Sequence, residues 1–315
     1  MNWSSVSKEA SEYLPTLQAL CPQYVEEMRG LATGAGVDFL DILALNVRTE
    51  ITFGLFTADP GLPVKIDGCT SVSIKTRAGI SLLAQNWDWQ KEQAPNLVIC
   101  HISRPGTSIP RLSMVTEAGV IGKIGLNEHG VGVCLNAIRA RGVDRSKLPV
   151  HLGLRAVLES TSRAAAVEFL TRTGIAASAH ILIADETGAT GLECTANSIQ
   201  ELHMDDSGLV VHSNHLLLDH PDADEPVWLQ DSPPRVARLR QLIREKFVGG
   251  HSLGTSELFE MFKDEEGYPG AINRCQVDGC ETETLFNIIM ELAKRRATVS
   301  FGRPTKISEC IQLTF

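Results

Sequence analysis

Hydrophobic and polar positions follow two different patterns along this chain of 315 residues. In the first 57 residues the apolar side chains recur with the period of a helix, as at Val25 and Met28. Pro22 stands where such a helix would begin, and Gly36 stands where it would end. Asp38 is placed to cap a second helix. This part of the chain is therefore predicted to be helical.

From Cys69 onwards the pattern changes to short apolar runs that are separated by Gly, Asn or Pro. Such runs are typical of antiparallel strands. The predicted strands are 71–74, 81–89, 97–103, 111–116, 120–126, 130–138, 179–184, 191–194, 199–203, 209–212, 285–292 and 297–301. The predicted helices among them are 149–158, 163–171, 234–247 and 256–263. Blocks of strands that alternate with pairs of helices predict an α+β fold, an αββα sandwich of two antiparallel sheets with helices outside.

The composition is that of a globular protein and argues against nucleic-acid-binding, membrane-spanning and secreted classes. Hydrophobic residues make up 43% and charged residues 21%, the balance of an ordinary globular chain. The net charge of −9 argues against nucleic acid or an anionic membrane as the partner. No stretch of 18 apolar residues is present, and no secretory signal opens the chain.

The eight cysteines occur singly, without the spacing of a metal site or a disulfide framework. They indicate a protein without metal or cofactor in the cytoplasm. The last four residues, Gln-Leu-Thr-Phe, are not a peroxisomal signal, which favours the same compartment.

Asp67-Gly68-Cys69-Thr70 lies between the helical block and the first strand, and it is the sharpest local feature. Gly68 has no Cβ, so a nucleophile can approach its carbonyl closely. Attack by the Cys69 thiol would release the upstream peptide and leave a cysteine with a free α-amine. With an ordinary pKa of about 7.7–8 that amine can act as a base near neutral pH. The simpler interpretation is a loop cysteine after a turn.

Two further groups fit the same chemistry without deciding it. Asp88, 19 residues after Cys69, could reach the cysteine amine from the returning strand. An aromatic cross-strand pair with a solvated aspartate explains the same segment. Asn214 follows a strand and carries an amide suited to donate to an oxyanion, although a polar strand end explains it equally well.

Several motifs together resemble the penicillin acyltransferase family in order and approximate spacing. They are Asp67-Gly68-Cys69-Thr70, Gln85-Asn86-Trp87-Asp88, Thr116-Glu117-Ala118-Gly119-Val120-Ile121-Gly122-Lys123, Leu158-Glu159-Ser160-Thr161-Ser162, Gly191-Leu192-Glu193 and Asn214-His215. The resemblance runs from about Pro22 to Thr305, which is nearly the whole chain.

This resemblance implies the αββα fold and self-cleavage between Gly68 and Cys69. The fragments 1–68 and 69–315 would then form a heterodimer within one globular domain. It implies that Cys69 is the nucleophile, that Asp88 supports its amine, and that Asn214 helps to form the oxyanion hole. Thr195 falls where the family has a serine in the substrate pocket, and is expected to bind substrate.

The chain departs from the family pattern in two places. Cys280-Glu281 stands where the family has a Ser-Arg pair, so Glu281 is expected to contact substrate and to repel an acceptor that carries a carboxylate. The alternative is that Arg274 takes over the role of that arginine. The chain also begins inside the family pattern, without a segment that supplies a strand and a Gly-rich turn in relatives.

Three functions are compatible with these features. The first is an N-acyltransferase, in which Cys69 receives an acyl group as a thioester and passes it to a small-molecule amine, with acyl-coenzyme A as a possible co-substrate. The second is an amidohydrolase that gives the thioester to water, as the related bile-salt and penicillin V hydrolases do. The third is an inactive scaffold, which the joint presence of Cys69, Asp88 and Asn214 disfavours.

Overall fold

The structure is a computed structural model that describes residues 2–54, 68–76, 79–226, 229–248 and 253–315. The helices of these residues are α1 (Trp3–Ser11), α2 (Leu14–Leu20), α3 (Pro22–Ala35), α4 (Phe39–Asn46), α5 (Val150–Leu158), α6 (Arg163–Thr173), α7 (Ser232–Val248) and α8 (Thr255–Phe262). Asp67 lies outside the described residues.

The strands of the first half are β1 (Gly68–Lys75), β2 (Ser81–Gln90), β3 (Leu97–Ile102), β4 (Leu112–Glu117), β5 (Ile124–Asn127) and β6 (Gly132–Ala137). Those of the second half are β7 (Ala179–Asp185), β8 (Gly188–Cys194), β9 (Ile199–His203), β10 (Leu209–His212), β11 (Thr282–Glu291), β12 (Arg296–Arg303) and β13 (Lys306–Thr314).

Two antiparallel sheets form the centre of the fold. One has the strand order β10-β1-β2-β11-β12-β13, and the other runs from β3 to β9 in sequence order. The sheets face each other, since β1 packs against β6 and β8. Helices α7 and α8 cover the first sheet, while α5 and α6 cover the second. The predicted αββα sandwich is confirmed.

Apolar side chains fill the space between these layers. One buried cluster includes Leu83, Val133 and Ile181 and joins the N-terminal helices to both sheets. A second, which includes Val72 and Leu239, lies between the first sheet and its helices. Burial of each such side chain contributes about 1.5–3 kcal/mol, which makes this core the main source of stability.

The helices α3 and α4 agree with the prediction from the sequence, with one difference at the start of α4. Helix α3 begins at Pro22 and ends at Gly36, whose φ of 67° lies in the left-handed region that glycine adopts without strain. Asp38 occupies the N-cap position of α4 as predicted, but its side chain makes no capping hydrogen bond. The end of α4 is fixed elsewhere, because the Asn46 amide donates to the carbonyl of Gly119 over 2.8 Å.

A buried cluster of charges attaches the N-terminal helices to the strands. Arg155 on α5 is fully buried, and both of its terminal nitrogens contact the Glu27 carboxylate, at 2.8 and 2.9 Å. Its Nε donates to Glu159, which also accepts from the Tyr24 hydroxyl over 2.8 Å. Arg104 contacts both carboxylates from the loop after β3. Tyr24 and Glu27 lie on α3, so this cluster joins residues on the two sides of the predicted cleavage point.

In the described part of the chain, no helix has both the length and the apolar character needed to cross a membrane.

Candidate active site

Cys69 is the second residue of β1, and its side chain is 1% exposed. In the antiparallel pairing with β2, Cys69 lies opposite Trp87, and Gly68 lies opposite Asp88. The side chain borders a small pocket. Other residues that line this pocket are Trp87, Trp89, Lys123, Ala137 and His151. The candidate nucleophile therefore faces a small pocket whose lining includes residues of both sheets.

The backbone of Cys69 is held by three side chains from the β10–α7 region. Its nitrogen donates to Asn214 Oδ1 over 2.7 Å. Its carbonyl accepts from the Ser213 hydroxyl over 3.0 Å and from a terminal nitrogen of Arg235 over 2.7 Å. These contacts fix the peptide groups on both sides of Cys69.

The Asn214 amide has one orientation in which all its contacts are satisfied. Oδ1 accepts from the Cys69 nitrogen and from Arg235, over 2.7 and 3.0 Å. Both neighbours can only donate, so the amide nitrogen cannot occupy that position. Nδ2 instead donates to the carbonyl of Ala137 over 2.9 Å, at the wall of the pocket.

Asp88 is fully buried on β2 and lies between a hydroxyl and a guanidinium. Its Oδ1 accepts from the Thr284 hydroxyl over 2.7 Å, and its Oδ2 lies 3.5 Å from Arg274 Nε. The same guanidinium packs against Gly68, where a Cβ would lie 2.9 Å from Arg274 Cζ. A side chain at position 68 would therefore force the Arg274 guanidinium to move.

Asp231 connects two buried guanidinium groups. Its Oδ1 accepts from Arg274 over 2.6 Å and from Arg235 Nε over 3.1 Å. Burial alone would lower the pKa of Arg274, but the carboxylates of Asp231 and Asp88 raise it by more than burial lowers it. The net pKa is therefore above its ordinary value. Burial lowers the pKa of Arg235. Both groups remain cations at neutral pH, because an arginine in a protein does not lose its proton.

Lys123 and Arg48 form a second charged wall of the pocket. Lys123 lies 2.7 Å from one oxygen of Glu117, and Arg48 lies 2.6 Å from the other. Burial raises the pKa of Glu117, but the two cations lower it more, so its net pKa is well below the ordinary value. Lys123 Nζ also lies 4.2 Å from the centre of the Trp87 ring, within reach of a cation–π contact. Burial and the nearby Arg48 and Lys123 lower the pKa of His151, which is therefore neutral.

Glu193 anchors the loop that carries Asn214. It is fully buried and accepts hydrogen bonds from the backbone nitrogens of Leu217 and Leu218, over 2.6 and 3.0 Å. The ring nitrogens of His212 and His220 contact the same carboxylate, at 2.8 and 3.1 Å. Burial raises the pKa of Glu193, but these partners lower it more, and the net pKa is below the ordinary value. The loop is thus held at both ends by one ionised group.

The structure brings together four residues that the sequence singled out: Gly68, Cys69, Asp88 and Asn214. It does not bring Thr195 to the pocket, since this hydroxyl accepts from the backbone nitrogen of Ser198 over 2.9 Å in the turn between β8 and β9.

Glu281 is exposed at the start of β11 and does not line the pocket. The cation next to the cleavage point is Arg274, which the sequence offered as the alternative. Arg235 and Ser213 were missed. Ser213 adjoins a recognised motif, whereas nothing in the sequence near Arg235 marks it.

In the part of the chain that the structure describes, no group of three or more His, Cys, Asp or Glu side chains could hold a metal ion.

Comparison with known proteins assigns the family. The sequence profile of the family described as "Acyl-coenzyme A:6-aminopenicillanic acid acyl-transferase" matches residues 75–306. The chain belongs to this family. A relative from Emericella nidulans, "Acyl-coenzyme A:6-aminopenicillanic-acid-acyltransferase 40 kDa form", is 41% identical over 298 residues. The match covers 93% of this chain and 79% of the relative. The predicted resemblance is therefore confirmed.

Solved structures with the same fold are more distant in sequence. The Caenorhabditis elegans ortholog of N-acylethanolamine-hydrolyzing acid amidase matches with a TM-score of 0.53 and 18% identity, over 71% of this chain and 92% of that one. A mutant of conjugated bile acid hydrolase from Clostridium perfringens matches with a TM-score of 0.57 and 14% identity, over 78% and 92%. At these identities the similarity shows the fold, which agrees with the two-sheet sandwich described above.

Proposed function

We propose that this acyltransferase-family enzyme cleaves its own chain before Cys69 and then uses Cys69 as an N-terminal nucleophile for N-acyl transfer. The observation that carries the proposal is that the Cys69 nitrogen donates to Asn214 Oδ1 while Cys69 itself lines a pocket. Such a nucleophile needs its amine and its thiol at one place, and this arrangement provides that place.

The cleavage step uses the Gly68 carbonyl. The Cys69 thiol attacks the carbonyl carbon, the C–N bond breaks, and Gly68 becomes a thioester on Cys69 Sγ. The nitrogen takes up the thiol proton and becomes a free α-amine. Water then hydrolyses the thioester, so that Gly68 ends in a carboxylate and the thiol is restored. The products are fragments 1–68 and 69–315, which remain together as a heterodimer.

Acyl transfer then proceeds through the same sulfur. The Cys69 amine accepts the thiol proton while the sulfur attacks the carbonyl carbon of the donor. Asn214 Nδ2 donates to the oxyanion, a contact whose loss costs roughly 3–4 kcal/mol of transition-state stabilisation in comparable enzymes. The leaving group departs with the proton. An acceptor amine attacks the thioester carbonyl and transfers its own proton to the Cys69 amine. The C–S bond then breaks, the amide product leaves, and the Cys69 amine returns the proton to the sulfur, which restores the thiol.

The substrates are proposed from the relative's name. The Emericella protein is named for acyl-coenzyme A and 6-aminopenicillanic acid. We therefore propose an acyl-coenzyme A thioester as donor and a small amine as acceptor, with no other cofactor. Attack by water would instead make the enzyme an amidohydrolase. That alternative is supported by the shared fold of the amidase and the bile acid hydrolase.

Mass spectrometry tests this proposal directly. We expect purified wild-type protein to show two fragments, one of which begins at Cys69. We expect Cys69→Ala to remain one chain, and Cys310→Ala, which changes an exposed cysteine, to be cleaved like wild type. Incubation with acyl-coenzyme A should add the acyl mass to the Cys69 fragment, and a panel of amines should then give amide products. Turnover by a protein whose mass is that of the uncleaved chain would contradict the proposal.

The same incubation separates the two activities. An amide product together with free coenzyme A identifies a transferase, whereas free acid formed at the same rate with or without amine identifies a hydrolase.

A further inference from the structure

Arg235 is a buried cation that contacts the nucleophile's backbone and has no part in the steps described above. It lies in the first turn of α7 and is 2% exposed. One terminal nitrogen donates to the Cys69 carbonyl over 2.7 Å and to the Thr70 hydroxyl over 2.9 Å. The other donates to Asn214 Oδ1 over 3.0 Å. Asp231 accepts from Nε and orients the group.

We propose that Arg235 is a positioning residue for acyl transfer, which fixes the Asn214 amide and keeps the Cys69 amine unprotonated. The inference rests on the proposed function, since it assumes that the Cys69 nitrogen becomes a free amine.

The positioning argument follows from which groups can donate. A guanidinium has five N–H donors and no acceptor, so it can face only the oxygen of an amide. Arg235 therefore holds Asn214 with Oδ1 toward the Cys69 nitrogen and Nδ2 toward the carbonyl of Ala137, a residue that lines the pocket. Without the guanidinium the amide could rotate, and Nδ2 would no longer be fixed where an oxyanion forms.

The charge argument concerns the amine formed by cleavage. Asn214 Oδ1 alone separates the Cys69 nitrogen from the Arg235 guanidinium, with distances of 2.7 and 3.0 Å to that oxygen. A fixed cation this close disfavours protonation of the amine and lowers its pKa. Other charged groups around Cys69 act on the same amine. They are Asp88 on β2, Lys123 before β5, Asp231 before α7 and Arg274 before β11.

Asp88 and Asp231 raise the amine pKa, whereas Arg274 and Lys123 lower it, and each of these groups has a partner of opposite charge. Removal of the Arg235 cation would raise the pKa of the Cys69 amine. The amine would keep its proton to a higher pH, and the acid limb of the activity profile would move to higher pH.

Two variants separate position from charge. Arg235→Met removes both, so we expect kcat to fall about 100-fold and the acid limb of kcat/KM to rise by about one pH unit. Arg235→Lys keeps the charge but not the planar fork. It should retain the acid limb of wild type and still lose at least about tenfold in kcat, since the amide is less well fixed. KM should change little in either variant.

Arg238→Met is the matched control. Arg238 lies one turn further along α7 and pairs with Asp264 and Glu266 at the surface, away from Cys69. We expect this variant to keep the kcat and the acid limb of wild type. Thermal unfolding of all three variants shows whether a loss of activity is only a loss of folded protein.

The pH dependence of Cys69 alkylation by iodoacetamide, in the cleaved protein, provides a measurement without any acyl donor. If the acid limb and the alkylation profile of Arg235→Met coincide with those of wild type, the charge argument is wrong. If Arg235→Lys turns over like wild type, the positioning argument is wrong. Wild-type protein that is cleaved but never takes up an acyl group would instead refute the proposed function. The alkylation profile would still test Arg235.

Discussion

The Asp88 carboxylate contacts the Thr284 hydroxyl and the Arg274 guanidinium. It lies opposite Gly68 in the sheet, so its charge acts at the proposed cleavage point and, under the proposed function, at the Cys69 amine. We expect Asp88→Asn to fold and yet to lose most cleavage and turnover, because the amide is nearly the same size but uncharged. Gel analysis of fragment formation, followed by kcat/KM, measures the effect.

Asp224→Asn is the control for that variant, since Asp224 is an exposed carboxylate that pairs with Arg141 at the surface. It should change stability by less than about 0.5 kcal/mol and leave cleavage unchanged. Cleavage and turnover of Asp88→Asn at the wild-type rate would show that the carboxylate has no role at the site.

Among single residues, those in short sequence motifs could be predicted from the sequence. Residues that reach the site from a distant part of the chain could not. Gly68-Cys69 and Asp88 stand in short motifs whose chemistry can be argued from adjacent residues. Arg235 reaches Cys69 across 166 positions, and no local pattern signals that approach. Thr195 and Glu281 were placed at the pocket by alignment alone, and alignment does not show that a hydroxyl is already used by a turn.

Among the elements, α5 begins at a buried carboxylate from the N-terminal fragment. The backbone nitrogen of Val150, the first residue of α5, donates to Glu50 Oε1 over 2.8 Å. Burial raises the pKa of Glu50 to about 7. The folded protein therefore keeps this proton at pH values where the unfolded chain has lost it, so stability falls as pH rises from about 4.5 to about 7.

Glu50→Gln should remove this dependence, since Gln keeps the acceptor oxygen and does not titrate. In the uncleaved Cys69→Ala background we expect the two proteins to be similar at pH 5. At pH 8 the Gln variant should be more stable by up to about 3 kcal/mol. Urea unfolding at both pH values measures this, with Glu12→Gln at an exposed position as control. Equal differences at pH 5 and pH 8 would show that Glu50 does not titrate in this range.

Most elements were predicted from the apolar pattern, including strands 199–203 and 209–212 with their observed bounds. Two were not. The predicted strand 120–126 begins only at Ile124, because Gly119, with a φ of 91°, and Asn46 hold the preceding residues in a turn. Strand β13 was missed, since it is an edge strand whose side chains are mostly exposed and give no apolar alternation.

For the whole molecule, the proposed cleavage would leave two fragments that the cluster around Arg155 joins. By proportion of 34.3 kDa they are roughly 7 and 27 kDa, and native electrophoresis should show them together. We expect Arg155→Met to weaken their association by about 3 kcal/mol, because Glu27 and Glu159 lose a buried partner. Release of the small fragment from cleaved protein, measured against urea concentration, gives this value.

Arg145→Met tests the same interface at a half-exposed pair, since Arg145 contacts Glu9 of the first helix. This substitution should weaken the association of the two fragments by less than about 1 kcal/mol. Equal effects of the two substitutions would mean that the buried cluster has no special part in fragment association.

The bare Cα of Gly68 has a consequence for evolution and for protein engineering. Any side chain at this position would displace the Arg274 guanidinium, which also contacts Asp88 and Asp231. Under the proposed function, a substitution at the cleavage point is therefore also a substitution at the catalytic centre. The cleavage sequence cannot drift independently, nor can it be exchanged for the recognition sequence of another protease, unless Arg274 is redesigned with it.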